Sequence, residues 1–347
     1  MSIKKILLGI VLVGLAVGGV FAYIVYDTFF TPNTKFKEKE AFVFIPSNAS
    51  FIDVKRSVEP LLQDMDAFEF AADKKGYINN IKGGKYRLLQ GMNNNELVNA
   101  LRVGNVPVKV AFNNQETLAD LAGRISVQIE ADSVSLINVF SDKTFLAENN
   151  LNLETGLALF VPNSYEFFWN TNAEDFASRM VTEYNRFWSD DRKIKAKALG
   201  LTPVEVVTLA SIVHKETAKI DERPKVAGLY LNRLRSGMLL QADPTVIYAI
   251  KKETGNYDTI IKRVLYKDLE IKSPYNTYKN SGLPPGPITM PDISAIDGVL
   301  NPEKHNYYYM VANVENFGYH MFAKDLAQHT RNKVQYVRWI NAQKIKR

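Results

Sequence analysis

The chain contains no cysteine. That excludes disulfides, cysteine-based zinc sites, a cysteine nucleophile and a lipid-modified N-terminal cysteine. Histidine is scarce, with four copies at positions 214, 305, 320 and 329, and no His-Glu-x-x-His spacing occurs. Neither a metal nor a cofactor is therefore expected. Lysine and arginine form no long block, although the net charge is +6 over 347 residues. Nucleic-acid binding is not read from charge so dispersed; a mildly basic surface suits an anionic polymer or an anionic membrane face. There is no P-loop, no Gly-x-Gly-x-x-Gly fingerprint and no Gly-x-Ser-x-Gly elbow. Internal repeats and low-complexity tracts are missing too.

What is present begins with one apolar run. Lys4 and Lys5 precede 21 uncharged residues, Ile6 to Tyr26. That is enough to span a bilayer core of roughly 30 Å. The apolar core of a cleaved signal peptide is shorter, about 7–15 residues, so a retained anchor is favoured over cleavage. The lysine pair places the N-terminus in the cytoplasm, with everything after Asp27 outside the inner membrane. Residues 1–27 are thus read as cytoplasmic tip and anchor, and the polar segment 28–40 as a tether.

The remainder reads as α+β. Residues 41–46 predict a strand, 50–62 and 65–74 helices, 82–88 a turn into a strand, and 94–101 a helix closed by Gly104. This small module, residues 41–105, is followed by a larger mixed region, 106–347. In that region helices are expected at 118–129, 134–140 and 174–188, from Thr202 through Thr217, at 221–235 and from Asp243 to Ile250. Residues 273–291, rich in Pro, Gly, Tyr and Asn, predict irregular structure. Segments 306–312 and 317–323 predict a hairpin, and 325–342 a last helix. The aromatic stretch Phe160–Trp169 serves either a core or a sugar-stacking face, with Phe167 assigned to the core and Tyr165 and Trp169 open.

One acid stands out. Thr202, Pro203 and Glu205 predict a capped helix start. On a wheel of about 100° per residue, Glu216 falls at about 280°, between Leu209 at about 300° and Ile212 at about 240°. A carboxylate on an apolar arc loses hydration and its pKa rises, which suits a general acid. On the wheel alone, a flanking glutamate that reaches solvent or pairs with an arginine explains the position more often than catalysis does. Ser211 lies well away on the same wheel, so a Ser-His pair with His214 or His320 carries little support.

Several blocks then occur in one order: Ala210-Ser211-Ile212-Val213-His214-Lys215-Glu216-Thr217, Glu222-Arg223-Pro224-Lys225, Leu231-Asn232-Arg233-Leu234, Leu240-Gln241-Ala242-Asp243-Pro244-Thr245, Pro274-Tyr275-Asn276-Thr277-Tyr278, Gly282-Leu283-Pro284-Pro285-Gly286 and His320-Met321-Phe322. Together they resemble the endolytic murein transglycosylases, the YceG-like family. The likeness is dense from about Thr202 to His329 and collinear back to the anchor. It implies a membrane-anchored enzyme that cuts nascent peptidoglycan strands internally, without water, leaving 1,6-anhydro-N-acetylmuramic acid ends. It also implies a LysM-like module near the membrane, which fits residues 41–105. The implied partners are peptidoglycan glycan strands, the inner membrane and peptidoglycan synthases.

By the same resemblance the catalytic acid maps to Glu216. Where the family usually has Glu-Lys-Glu-Thr, this chain has His214, read as a tolerated variation at the helix edge or as a group that tunes Glu216. Asp243 is most simply a helix N-cap, with direct substrate contact as the alternative. Tyr275, Asn276 and Tyr278 line the site or pack their loop. Gln241 and His320 are assigned to the cleft. Glu222, Arg223 and Asn232 are expected to form a supporting scaffold. Two other functions stay open at this point: a hydrolytic muramidase using Glu216 and Asp243 as a pair, and a non-catalytic glycan-binding scaffold.

Overall fold

The computed structural model describes residues 3–342. The outermost ends of the expected anchor and of the 106–347 region, residues 1–2 and 343–347, lie outside the described residues. The chain divides into two compact units. The first holds the chain up to residue 110 with segments 127–131 and 165–172; the second holds 111–126, 132–164 and the chain from 173 onward.

The first unit starts with α1 (Ile3–Phe30). Its 28 residues extend about 42 Å at 1.5 Å per residue. None of them is buried. An apolar helix exposed on every side is stable in lipid, and its length fits a single-pass anchor. Its last turn joins the unit's core through Phe29, and the Thr28 carbonyl accepts from Asn94 Nδ2 at 2.8 Å.

Then come β1 (Glu40–Ile45), α2 (Phe51–Val58), α3 (Met65–Lys74), β2 (Gly84–Leu89) and α4 (Asn94–Val103). Side-chain caps start each helix: Ser50 with Asp53 and Asn93 with Glu96 form capping boxes, and Asp64 accepts from the Ala67 amide. β1 and β2 run antiparallel with Val43 opposite Tyr86. The period of two turns Val43, Ile45, Tyr86 and Leu88 onto Val54, Phe68 and Leu97, all buried. The expected strand–helix–helix–strand–helix order is thus observed.

Strand β3 (Pro107–Phe112) carries the chain onward to α5 (Leu118–Ser126), α6 (Ser133–Phe140), α7 (Lys143–Glu148) and β4 (Asn163–Phe168), which pairs with β3. The aromatic stretch is therefore largely a strand. Phe167 is buried, as assigned, and Trp169 packs edge-on against Phe44 at 5.2 Å.

The second unit is mainly helical. It contains α8 (Ala173–Phe187), α9 (Asp190–Leu199), α10 (Pro203–Glu216), α11 (Arg223–Arg235), α12 (Asp243–Thr254), α13 (Ile293–Leu300), the hairpin β5 (Tyr309–Ala312) and β6 (His320–Ala323), and α14 (Leu326–Ala342). α10 is its centre. The expected Thr202–Glu205 capping box is present. Every residue from Val206 to Val213 is buried, Thr208 and Ser211 included. This corrects the two-sided wheel: the middle of α10 is covered on all faces, and only its first and last turns reach a surface. α11 and α13 cross so closely that a Cβ on Gly298 would stand 3.2 Å from Arg223 Cβ.

Three helices go beyond the expected set. α13 has only eight residues, Ser294 and Asp297 among them, too short a run for a helical period to stand out. α9 is dominated by charge, with Asp190, Asp191, Arg192 and three lysines in ten residues, yet Ser189 before it and Gly200, left-handed at φ 76°, after it mark both its ends. α7 is a short turn started by Asp142, whose carboxylate accepts from the Phe145 amide. The irregular stretch 273–291 contains neither helix nor strand, as expected.

Candidate active site

α10 ends at Glu216, and the chain turns sharply there because Thr217 is extended at φ −138° and ψ 130°. The Glu216 side chain enters a cleft of about 260 Å³ in the second unit. One wall is α11, which contributes Tyr230 and Arg233. A second is the segment before and at the start of α12, with Gln241 and Asp243, backed by Tyr278. The third is the hairpin, with Met310 to Ala312 on β5 and His320 on β6.

Glu216 Oε1 accepts from Tyr230 Oη at 2.6 Å. Burial is the largest influence on Glu216 and lifts its pKa from 4.5 to about 7. The Tyr230 hydrogen bond, His320 and Arg233 pull it back, and the charge of Asp243 pushes it up further. Tyr230 itself is buried, and burial beside Glu216 raises its pKa well above 10, so it remains a neutral donor.

Arg233 is buried beneath the cleft and anchors its walls. Its Nε donates to the Tyr308 carbonyl at 2.6 Å, and its Nη1 to the carbonyls of Leu239 and Leu240 at 3.0 and 2.9 Å. The same nitrogen reaches Gln241 Oε1 at 3.3 Å. Gln241 has φ 50°, a left-handed conformation that costs energy outside glycine, and its amide donates to the Thr277 carbonyl at 3.1 Å.

Asp243 does not cap α12. The cap position is Ala242, and no side chain caps it. Asp243 is the first helical residue, exposed in the cleft, and its Oδ1 accepts from Tyr278 Oη at 2.5 Å. The N-cap expectation is corrected in favour of a carboxylate that faces the site.

His320 donates its backbone amide to Glu222 Oε1 at 2.6 Å, and its Nδ1 lies 2.9 Å from Glu222 Oε2. Burial lowers the His320 pKa, but the hydrogen bond and charge of Glu222, with Glu216 adding, outweigh it and the net shift is upward. Glu222 is held below the usual glutamate value: its own burial acts upward, and the His320 contacts prevail. Glu222→Gln is expected to move the His320 titration to lower pH, followed by imidazole NMR. An unchanged midpoint would show that Glu222 does not set the charge on His320.

The remaining expected residues lie around this cleft rather than in it. Arg223 Nη2 reaches Asp292 Oδ2 at 3.1 Å and His214 Nδ1 at 3.3 Å, and its Nη1 bonds Ser294 Oγ. His214 therefore belongs to an Arg223–Asp292 cluster, not to the Glu216 contacts. Burial lowers the His214 pKa, and Arg223 and Lys215 add to this against the opposing charge of Asp292. Asn232 Nδ2 donates to the carbonyls of His305 and Tyr307 at 2.9 and 3.1 Å, fixing the approach to β5. Tyr275 is fully buried, with its hydroxyl on Glu154 Oε2 at 2.7 Å. Asn276 is also fully buried and donates to the carbonyls of Leu269 and Ile271, both at 2.9 Å. The second option for these two, loop packing, is the one observed; Tyr278 alone of the three faces the cleft. Ser211 is no nucleophile, since its hydroxyl donates to the Thr208 carbonyl at 2.7 Å and accepts from the Ile288 amide at 3.0 Å.

Tyr230 and Arg233 were not singled out from the sequence. Their spacing of three residues places both on one face of α11. That α11 would lay this face against the end of α10 is a tertiary fact.

Against this geometry stand three comparisons. A family model described as YceG-like matches residues 43–335. Endolytic murein transglycosylase from Bacillus subtilis (strain 168) is 29% identical over 342 residues, covering 93% of this chain and 91% of that protein. The protein of the same name from Streptococcus pneumoniae serotype 2 (strain D39 / NCTC 7466) is 28% identical over 355 residues, again 93% of this chain, which spans only 63% of the streptococcal protein's length. The crystal structure of a putative YceG-like protein from Listeria monocytogenes superposes with a TM-score of 0.57 at 29% identity, covering 84% of this chain and 98% of that one.

Proposed function

Because the chain belongs to the YceG-like family, we propose that it is a membrane-anchored lytic transglycosylase that cleaves peptidoglycan glycan strands internally. It acts between N-acetylmuramic acid and N-acetylglucosamine and leaves 1,6-anhydro ends. α1 is its single-pass anchor in the cytoplasmic membrane, with the catalytic part on the outer side. Residues 41–105 are read as a LysM-like module and 106–347 as the catalytic region. Peptidoglycan synthases are the proposed protein partners.

The observation that carries the mechanism is Glu216 at the cleft floor, with its pKa lifted to about 7, chiefly by burial. Near neutral pH a large share of molecules keeps the Glu216 proton. Tyr230 occupies Oε1, which leaves Oε2 to deliver that proton to the glycosidic oxygen. As the bond breaks, positive character develops at C1 of the muramic acid, and Glu216 becomes a carboxylate. That carboxylate takes the proton from the sugar's own 6-hydroxyl, whose oxygen closes onto C1. One group serves as acid and then base, so no second carboxylate has to activate water. Asp243, tied to Tyr278, acts on the charge of Glu216 rather than on the substrate bond.

Asp243→Asn tests this division of labour. Mass spectrometry of products from purified strands is expected to find anhydro ends from both wild type and variant. The variant's pH profile should shift toward acid, because the charge that raises the Glu216 pKa is gone. A hydrolase using both acids gives products one water heavier and loses about 10²-fold or more in Asp243→Asn; that outcome refutes the proposal.

A further inference from the structure

Between α12 and the helical turn Asp268–Glu270 the chain runs without helix or strand. From Thr259 to Lys267 it reads Thr-Ile-Ile-Lys-Arg-Val-Leu-Tyr-Lys, which holds three cations and no acid. A solvent-facing loop ordinarily turns its apolar side chains inward. Here Ile260 is 83% exposed, Tyr266 86% and Leu265 49%. The loop is nonetheless held in place. Ile261 is partly covered and lines a small cavity with Ile247 of α12 and Ile288. Asp268 accepts from the Leu265 amide at 2.8 Å.

The cations are uncommitted. Lys262, Arg263 and Lys267 form no ion pair among the described residues, whereas the nearby acid Glu270 is paired with Lys279 at 2.5 Å. Apolar tips interleaved with free cations match the chemistry of one surface in particular, the interface of an anionic bilayer. There the tips enter the acyl boundary and the ammonium and guanidinium groups meet lipid phosphates. The chain also carries its own reason to be at a bilayer, the unburied apolar helix α1.

We propose that residues 259–267 form a second membrane contact, with Ile260, Leu265 and Tyr266 seated in the interface of an anionic leaflet and Lys262, Arg263 and Lys267 on its headgroups. This rests on α1 as the anchor and is independent of the chemistry at Glu216. Each cation adds about fivefold to the contact equilibrium.

The absence of cysteine makes the test direct. Ile260→Cys introduces a unique thiol for an environment-sensitive fluorophore in the full chain, reconstituted in lipid nanodiscs. In phosphatidylcholine mixed with phosphatidylglycerol, the expected result is blue-shifted emission that spin-labelled lipid quenches. In phosphatidylcholine alone, or with Lys262, Arg263 and Lys267 all changed to serine, quenching should drop several-fold. The same label at Val134→Cys, exposed on α6, should stay water-like throughout. Water-like emission from position 260 in anionic discs overturns the proposal. So does quenching indifferent to lipid charge and to the three serines, and so does a blue shift that appears only when another protein is added. Cleavage of soluble strands by the triple-serine chain is measured in parallel. It persists if the chemistry at Glu216 is as proposed, whatever the fluorescence does.

Discussion

Glu216→Gln is expected to lower the yield of anhydro-ended fragments about 10³-fold or more, while circular dichroism and gel filtration remain those of wild type. General acid–base catalysis by one group contributes about 10²–10⁴-fold. Here the same group is used twice, first to give a proton and then to take one. Glutamine keeps the shape and can still accept from Tyr230, but it can neither donate an acidic proton nor receive one. The wild-type pH profile follows from the same residue. Cleavage starts from protonated Glu216, so kcat/KM should be level below about pH 7 and fall roughly tenfold per unit above it. Full activity in the variant, or a wild-type rate unchanged to pH 9, would remove Glu216 from the chemistry.

Glu216 is legible in the sequence only in part. The wheel pointed to it as an acid on an apolar arc, yet α10 has no polar face from Val206 to Val213. What distinguishes Glu216 is that it ends a buried helix, and the following residue turns away. Capping residues located the start of α10 because the Thr202–Glu205 box is a local interaction three residues apart. The Tyr230–Glu216 bond spans 14 residues and two helices, and no sequence period encodes such a contact. Asp243 shows the reverse error: an acid before Pro244 looks like a cap, but a tyrosine 35 residues later takes its carboxylate. Asn276 looks like a ligand in a proline-rich loop; its amide instead satisfies two carbonyls of its own neighbourhood. Local rules thus recovered most elements of the fold. The partners inside the site depend on how α10, α11, α12 and the β5–β6 hairpin converge.

The elevated pKa carries a second, opposite consequence for stability. A carboxylic acid that titrates at 4.5 when unfolded and at about 7 when folded binds its proton more tightly in the native state. Its contribution to stability is complete below about pH 4.5 and drains away as pH rises to about 7, beyond which the native state holds an unfavourable buried carboxylate. At 1.36 kcal/mol per unit, that loss amounts to about 3 kcal/mol at and above neutral pH. Glutamine does not ionise. Glu216→Gln should therefore be close to wild type in stability near pH 4.5 and more stable by up to about 3 kcal/mol at pH 8. Urea unfolding monitored at both pH values measures the difference. A structural role for Glu216, as partner in a stabilising ion pair, predicts the opposite sign, since neutralising it would weaken the fold most at high pH. The side chain whose removal stops cleavage is the one whose removal strengthens the fold at neutral pH, because the burial that keeps its proton available is the same burial that destabilises its charge.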